Sequence, residues 1–212
     1  MDGKLGGHVR AAFEKVGLHA LERVWDNGFR QMTTSGKPIN TVQDMAGLKI
    51  RVPVSPLAIS MFKGLGAAPG SLQFAELYTA LQTKVYDAQE NPLSIIQIAK
   101  MYEVQKFCSL TNHMWDGWWM IINGRAWKEL PEDLQKILSS SFNEAIVKER
   151  ADVRALNDST MAELKAKGMT FNSAKPETFR AALKQSGFYE EWRKKFGDEA
   201  WGLLEQAVGK LS

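Results

Sequence analysis

Leu48-Lys49-Ile50-Arg51-Val52-Pro53 alternates apolar and basic side chains and then stops at a proline. A period of two belongs to a β-strand, so Lys49 and Arg51 fall on the face opposite Leu48, Ile50 and Val52. Downstream, Pro56 suits the first turn of a helix reaching about Lys63, and Gly64-Leu65-Gly66 closes it. Residues 67–72 read as a short strand or turn, 74–82 as an amphipathic helix and 85–88 as an extended piece. Pro92 is placed to open a helix through Lys100, and 104–110 and 117–123 read as two strands. This alternation argues for an α/β fold with a largely parallel sheet. Open sheets of this kind bind ligands outside the carboxyl ends of their strands, which is where Arg51 falls.

Upstream, residues 8–16 read as a short helix after Gly6-Gly7, stopping near Gly17, and 20–33 as extended chain. Ser35-Gly36-Lys37-Pro38 is loop chemistry. Downstream, Pro131-Glu132-Asp133 opens a helix with acids in its first turn. Leu134, Ile137, Leu138, Phe142, Ala145 and Ile146 form an apolar stripe at helical spacing, continued by Val153, Leu156, Met161 and Leu164. Unbroken to Lys167, such a helix is about 55 Å long at a rise of 1.5 Å per residue. It is therefore expected to span two lobes or to kink. Residues 170–172 read as a strand, and two or three amphipathic helices rich in Phe and Trp finish the chain.

The composition excludes several classes. The 212 residues carry a formal net charge of +3 from scattered Lys and Arg, with no basic block that argues for nucleic acid or membrane partners. The single cysteine, Cys108, excludes an intramolecular disulfide and reads as a small buried strand residue. Trp118-Trp119-Met120-Ile121-Ile122 is the longest apolar run, far too short to cross a bilayer. The amino terminus has no apolar segment of the signal-peptide kind. His8, His19 and His113 are scattered, with no His/Cys/Asp grouping at metal-ligand spacing, and no nucleophile elbow, Walker loop or dinucleotide fingerprint is present. No catalytic residue, metal or cofactor is expected.

Several stretches carry a family resemblance. They are Trp25-Asp26-Asn27-Gly28-Phe29-Arg30-Gln31, Gly47-Leu48-Lys49-Ile50-Arg51-Val52-Pro53, Phe74-Ala75-Glu76-Leu77-Tyr78-Thr79-Ala80-Leu81-Gln82 and Asp87-Ala88-Gln89-Glu90-Asn91-Pro92. Tyr102-Glu103-Val104-Gln105-Lys106, Leu110-Thr111-Asn112-His113 and Leu130-Pro131-Glu132-Asp133-Leu134-Gln135-Lys136 continue it in order. The sequence resembles the solute-binding subunit of tripartite ATP-independent periplasmic (TRAP) transporters, the DctP family. It covers about the last two thirds of the family pattern. Ala88 stands where the family motif usually has glycine.

The resemblance implies a periplasmic-binding-protein-like fold of two lobes with mostly parallel sheets, a long lobe-spanning helix and an incomplete first lobe. It implies a remnant of the first lobe and a hinge strand in 1–27, the second lobe in 28–116, a first-lobe segment in 117–156 and a second-lobe segment with the C-terminal helices in 157–212. It also implies a periplasmic receptor, not an enzyme, that takes a small organic acid of the sialic acid or dicarboxylate kind and hands it to TRAP membrane permease subunits. Nucleic acid is not among the implied partners. The alternative is a remnant without ligand function that acts as an interaction or oligomerisation module, and self-association of the chain is expected with it.

By resemblance Arg51 grips the ligand carboxylate, and a planar guanidinium suits that work. Its other reading is a surface arginine paired with a nearby acid. Arg30 stands as a second cationic contact or as a solvated strand-end charge. Asn91 either donates to the carboxylate or caps the helix that Pro92 begins. Phe74 is an apolar wall or a core aromatic. Glu90 orients Arg51 or Arg30, or faces solvent. Trp115 sits with Asp116, Trp118 and Trp119 where the chain is expected to cross between lobes, either reaching the cleft or packing.

Overall fold

The structure, a computed structural model, describes residues 1–211. Six strands make one sheet in the order β3-β2-β4-β1-β5-β6. They are β1 (Leu18–Thr34), β2 (Lys49–Val52), β3 (Ala68–Ser71), β4 (Ala88–Pro92), β5 (Phe107–Asn123) and β6 (Thr170–Ser173). The ladders β2–β3, β2–β4 and β5–β6 are parallel, and β1–β4 is antiparallel. The sheet is thus mixed α/β. The helices are α1 (Lys4–Lys15), α2 (Pro56–Gly64), α3 (Leu77–Gln82), α4 (Leu93–Ile98), α5 (Gly124–Glu129), α6 (Glu132–Ala166), α7 (Pro176–Gln185), α8 (Phe188–Phe196) and α9 (Asp198–Val208).

The chain forms two compact units. Unit 1 holds Met1–Gly28, Asp116–Ala155 and Phe196–Lys210, and unit 2 holds Phe29–Trp115 with Leu156–Lys195. β1, β5 and α6 each contribute to both. In unit 2 the core gathers Leu77 and Leu81 of α3, Leu93 and Ile96 of α4, Met101, Cys108 of β5, Leu164 of α6 and Met169. In unit 1, α1 packs on α9. Aromatic contacts knit the rest of that unit: Phe13 meets Trp119 edge-on at 5.9 Å, His19 stacks on Trp127 at 4.2 Å and Trp25 meets Phe142 edge-on at 6.0 Å.

The 35-residue α6 realises the long helix expected from the apolar stripe. Four other expectations need correction. α1 starts at Lys4, before Gly6-Gly7 rather than after them. Gly6 is buried where a Cβ would meet the Met1 carbonyl oxygen at 1.5 Å, so this glycine permits a close backbone approach inside a helix. The expected strand at 85–88 begins only at Ala88, because Lys84 turns the chain through a left-handed conformation (φ 59°). The helix expected from Pro92 to Lys100 is shorter: Pro92 ends β4 paired with Arg30 and is the N-cap residue of α4, which runs only from Leu93 to Ile98. The two strands expected at 104–110 and 117–123 are one 17-residue strand, β5.

Candidate functional site

Polar side chains that sheets normally turn to solvent are buried around β4 in unit 2. Every residue of Ala88-Gln89-Glu90-Asn91-Pro92 is buried. The strand lies between β2 and β1, with Arg51 beside Gln89 and Arg30 beside Pro92. A buried polar group must find partners or destabilise the fold, and here the partners form one connected network.

Arg30, 8% exposed, holds Glu90, 2% exposed, in a two-point pair. Its Nη2 donates to Glu90 Oε1 at 2.8 Å and its Nε to Glu90 Oε2. The same Nη2 also meets the Glu90 backbone carbonyl at 2.9 Å and Asn91 Oδ1 at 3.2 Å. From β5, His113 Nε2 lies 3.1 Å from Glu90 Oε2, and Thr111 Oγ1 lies 2.8 Å from His113 Nδ1. That geometry suits a proton on Nε2 aimed at Glu90, with Nδ1 accepting from the Thr111 hydroxyl. Phe62 meets the imidazole edge-on at 5.5 Å. Burial works to raise the Glu90 carboxyl, but the hydrogen bonds from His113 and Arg30 outweigh it and hold the group below the usual carboxylate range.

Asn91 continues the network. Its Nδ2 donates to Gln89 Oε1 at 2.6 Å, Gln89 Nε2 donates to Thr33 Oγ1 at 2.8 Å, and that hydroxyl donates to Gln105 Oε1 at 3.0 Å. Asn91 lies inside β4, and α4 has no side-chain cap, so it is not a helix cap.

Arg51 is placed differently. It is 2% exposed, and its Nε and Nη2 both donate to the Leu72 carbonyl, at 2.9 and 2.6 Å. Among the described residues it makes no ion pair. The reading of Arg51 as a surface arginine paired with an acid therefore does not describe it. Burial lowers its pKa, Glu90 raises it and Arg30 lowers it again, yet a guanidinium stays charged. Its parallel neighbour is Gly70, where a Cβ would sit 2.2 Å from the Tyr86 hydroxyl oxygen, so only glycine leaves room for that ring.

Phe74, two residues past Leu72, is 48% exposed on a short 3-10 turn and is not a core aromatic. Trp115 is 36% exposed in β5. The fold thus joins Arg30, Glu90 and Asn91 by direct hydrogen bonds and sets Arg51 one strand away. His113, Thr111, Gln89 and Thr33 escaped the sequence reading; the only signal was the spacing of Thr111 and His113, two apart on one strand face. No grouping of three or more His, Cys, Asp or Glu side chains that could hold a metal occurs among the described residues. No helix among them is long and apolar enough to cross a membrane.

Residues 1–195 match the family model described as DctP, bacterial extracellular solute-binding protein, family 7. The 2,3-diketo-L-gulonate-binding periplasmic protein YiaO of Escherichia coli K12 is 43% identical over 145 residues, 68% of this chain and 44% of that protein. Among solved structures, the sugar acid binding protein DctPAm of Advenella mimigardefordensis in complex with galactonate aligns with a TM-score of 0.91 at 32% identity, covering 100% of this chain and 68% of that one. A TRAP periplasmic solute-binding protein of Polaromonas sp. JS666 bound to D-erythronate aligns with a TM-score of 0.90 at 33% identity, covering 97% and 67%. The matched region spans 26 to 63% of the length of the first three curated relatives.

Proposed function

The chain belongs to the DctP family of bacterial extracellular solute-binding proteins, and on that premise we propose that it carries the acid-gripping residues of a receptor that delivers a small organic acid to a TRAP permease. The family is one of receptors rather than enzymes. The observation that carries the proposal is Arg51: a buried guanidinium near a strand's carboxyl end, hydrogen-bonded to one carbonyl and in no ion pair among the described residues. Buried charges are stable when paired, and an incoming carboxylate supplies the missing partner. With Nε and one N–H of Nη2 held by Leu72, the Nη1–Nη2 edge remains for a bidentate grip.

In this reading Glu90 occupies and neutralises Arg30, whose Nη2 fixes Asn91, while Arg51 takes the ligand. Asn91 turns its amide toward the carboxylate, Phe74 offers an apolar wall, and Trp115 flanks the site. Relatives named for 2,3-diketo-L-gulonate, galactonate and D-erythronate favour a hydroxylated acid as the solute. Periplasmic residence and transfer to a permease follow the relatives.

Calorimetric or ligand-observed NMR titration with galactonate, D-erythronate and succinate tests the proposal. Arg51→Lys keeps the charge but loses the fork, and is expected to cost about 1.5–3 kcal/mol of binding. Arg51→Ala is expected to abolish it. Undiminished affinity in Arg51→Ala would remove Arg51 from the site. A second reading, an interaction module without a ligand, draws on the exposed apolar side chains of unit 1, including Trp118 and Ile137; it predicts no titration with any acid.

A further inference from the structure

We propose that the amino-terminal rim of the unit 2 sheet is a contact surface for an anionic lipid bilayer. Backbone pairing sets the rim. Ala88, the first residue of β4, pairs with Thr34. Lys106, just before β5, donates its N–H to the Thr34 carbonyl at 2.9 Å, and Thr170, the first residue of β6, donates to the Lys106 carbonyl at 2.9 Å. The loops feeding these strands, 83–87, 99–106 and 165–169, therefore emerge side by side. Arg51, Glu90 and Asn91 lie toward the other ends of their strands.

The three loops carry five exposed lysines, Lys84, Lys100, Lys106, Lys165 and Lys167, against two acids, Asp87 and Glu103. None of the five makes an ion pair among the described residues. Glu103 accepts instead from the Tyr78 hydroxyl at 2.6 Å. Three of the lysines lie over aromatic rings: Lys106 over Phe107 at 5.5 Å, Lys165 over Phe171 at 5.6 Å and Lys167 over Tyr102 at 4.7 Å. Beside the other two, Val85 is 60% and Ile98 74% exposed.

The backbone supplies an independent observation. Lys84 and Lys100 adopt φ of 59° and 53°, just past the carboxyl ends of α3 and α4. Glycine suits that position and a lysine is strained in it, so the recurrence of lysine points to use of the side chain. Partner chemistry follows from the residue types. Protein interfaces favour Arg, Tyr and Trp and are poor in Lys, whereas these loops hold no arginine. Lysines around isolated aliphatics and half-exposed rings match the charged, amphipathic face of a bilayer, which attracts each lysine.

Co-sedimentation of the chain with phosphatidylcholine vesicles, with and without phosphatidylglycerol, tests this. Binding is expected only to the anionic vesicles, and added salt should reverse it. Lys84→Gly/Lys100→Gly relieves the left-handed strain while removing two charges, so the fold should persist. Adsorption should fall about 25-fold, at about fivefold per lysine. The control, Lys128→Gln/Lys148→Gln, removes two exposed lysines of unit 1 and should change little. Equal loss in both variants, or no vesicle binding by the parent chain, overturns the proposal. So does tighter retention on immobilised polyglutamate than on the vesicles, which would assign the rim to an acidic protein. Arg51 is not on the rim, so neither result bears on acid binding.

Discussion

Glu90 is an internal carboxylate that does for Arg30 what a ligand carboxylate is proposed to do for Arg51. Both of its oxygens are engaged by Arg30, and His113 approaches one of them. Replacing it with Ala removes these bonds at once from a site 2% exposed, and a loss of about 3–5 kcal/mol of stability is expected. The pH dependence has a definite sign. Since the folded pKa lies below the usual carboxylate value, the stabilisation is fully present above the unfolded pKa of about 4.3 and is lost as pH falls through the folded value. The stability gap between the parent chain and Glu90→Gln, measured by urea unfolding, should therefore be widest near neutrality and shrink in acid. A gap that stays constant from pH 7 to pH 3 would deny Glu90 an ionised role. The sequence made Glu90 and Arg30 visible as candidates but left their pairing open. Nothing in a linear pattern says that a Gln-Glu-Asn run is buried, because alternation rules assume that polar residues face water. His113 was hidden for the same reason: its partner lies 23 positions away.

At the scale of elements, legibility tracked the length of the periodic signal. α6 repeats its apolar stripe over many turns, and its ends were readable from Pro131 and Gly168. α2 was readable from Pro56 at its start and the glycines beyond it. β5 was not, because Asn112 and Asp116-Gly117 look like turn residues. Asn112 does take a left-handed φ of 44°, yet the strand continues through it. Its side chain and backbone bond the Gln31 amide, at 2.6 and 3.1 Å, which holds the irregular residue in the ladder. α6 also shows how unevenly one helix can be anchored. Ile146 and Leu164 are both fully buried, whereas Ile137 and Val147 are each 57% exposed. Ile146→Ala should cost about 2–5 kcal/mol, and Val147→Ala should stay within about 0.5 kcal/mol, as usual for exposed sites. Chemical denaturation of the two variants checks the contrast. Equal effects would mean that the stripe does not define the packed face.

At the scale of the whole molecule, the distribution of apolar surface becomes the governing quantity. Unit 1 exposes Trp118 (57%), Met120 (37%) and Ile121 (40%) on β5, and Leu134 (42%), Ile137 (57%) and Leu138 (38%) on α6. Single exposed apolar residues are ordinary; six on two segments of one unit add up to apolar area that a second copy can cover. Each square ångström of apolar area withdrawn from water contributes about 25 cal/mol, so a second copy covering these side chains is favoured as concentration rises. The chain is therefore expected to self-associate, and light scattering coupled to size exclusion should show a mass that climbs with loading concentration. Trp118→Ser/Ile137→Ser removes the two most exposed side chains and should restore monomer without loss of stability, since neither is buried. A parent chain that stays monomeric across the whole concentration range would show that these residues are tolerated in water.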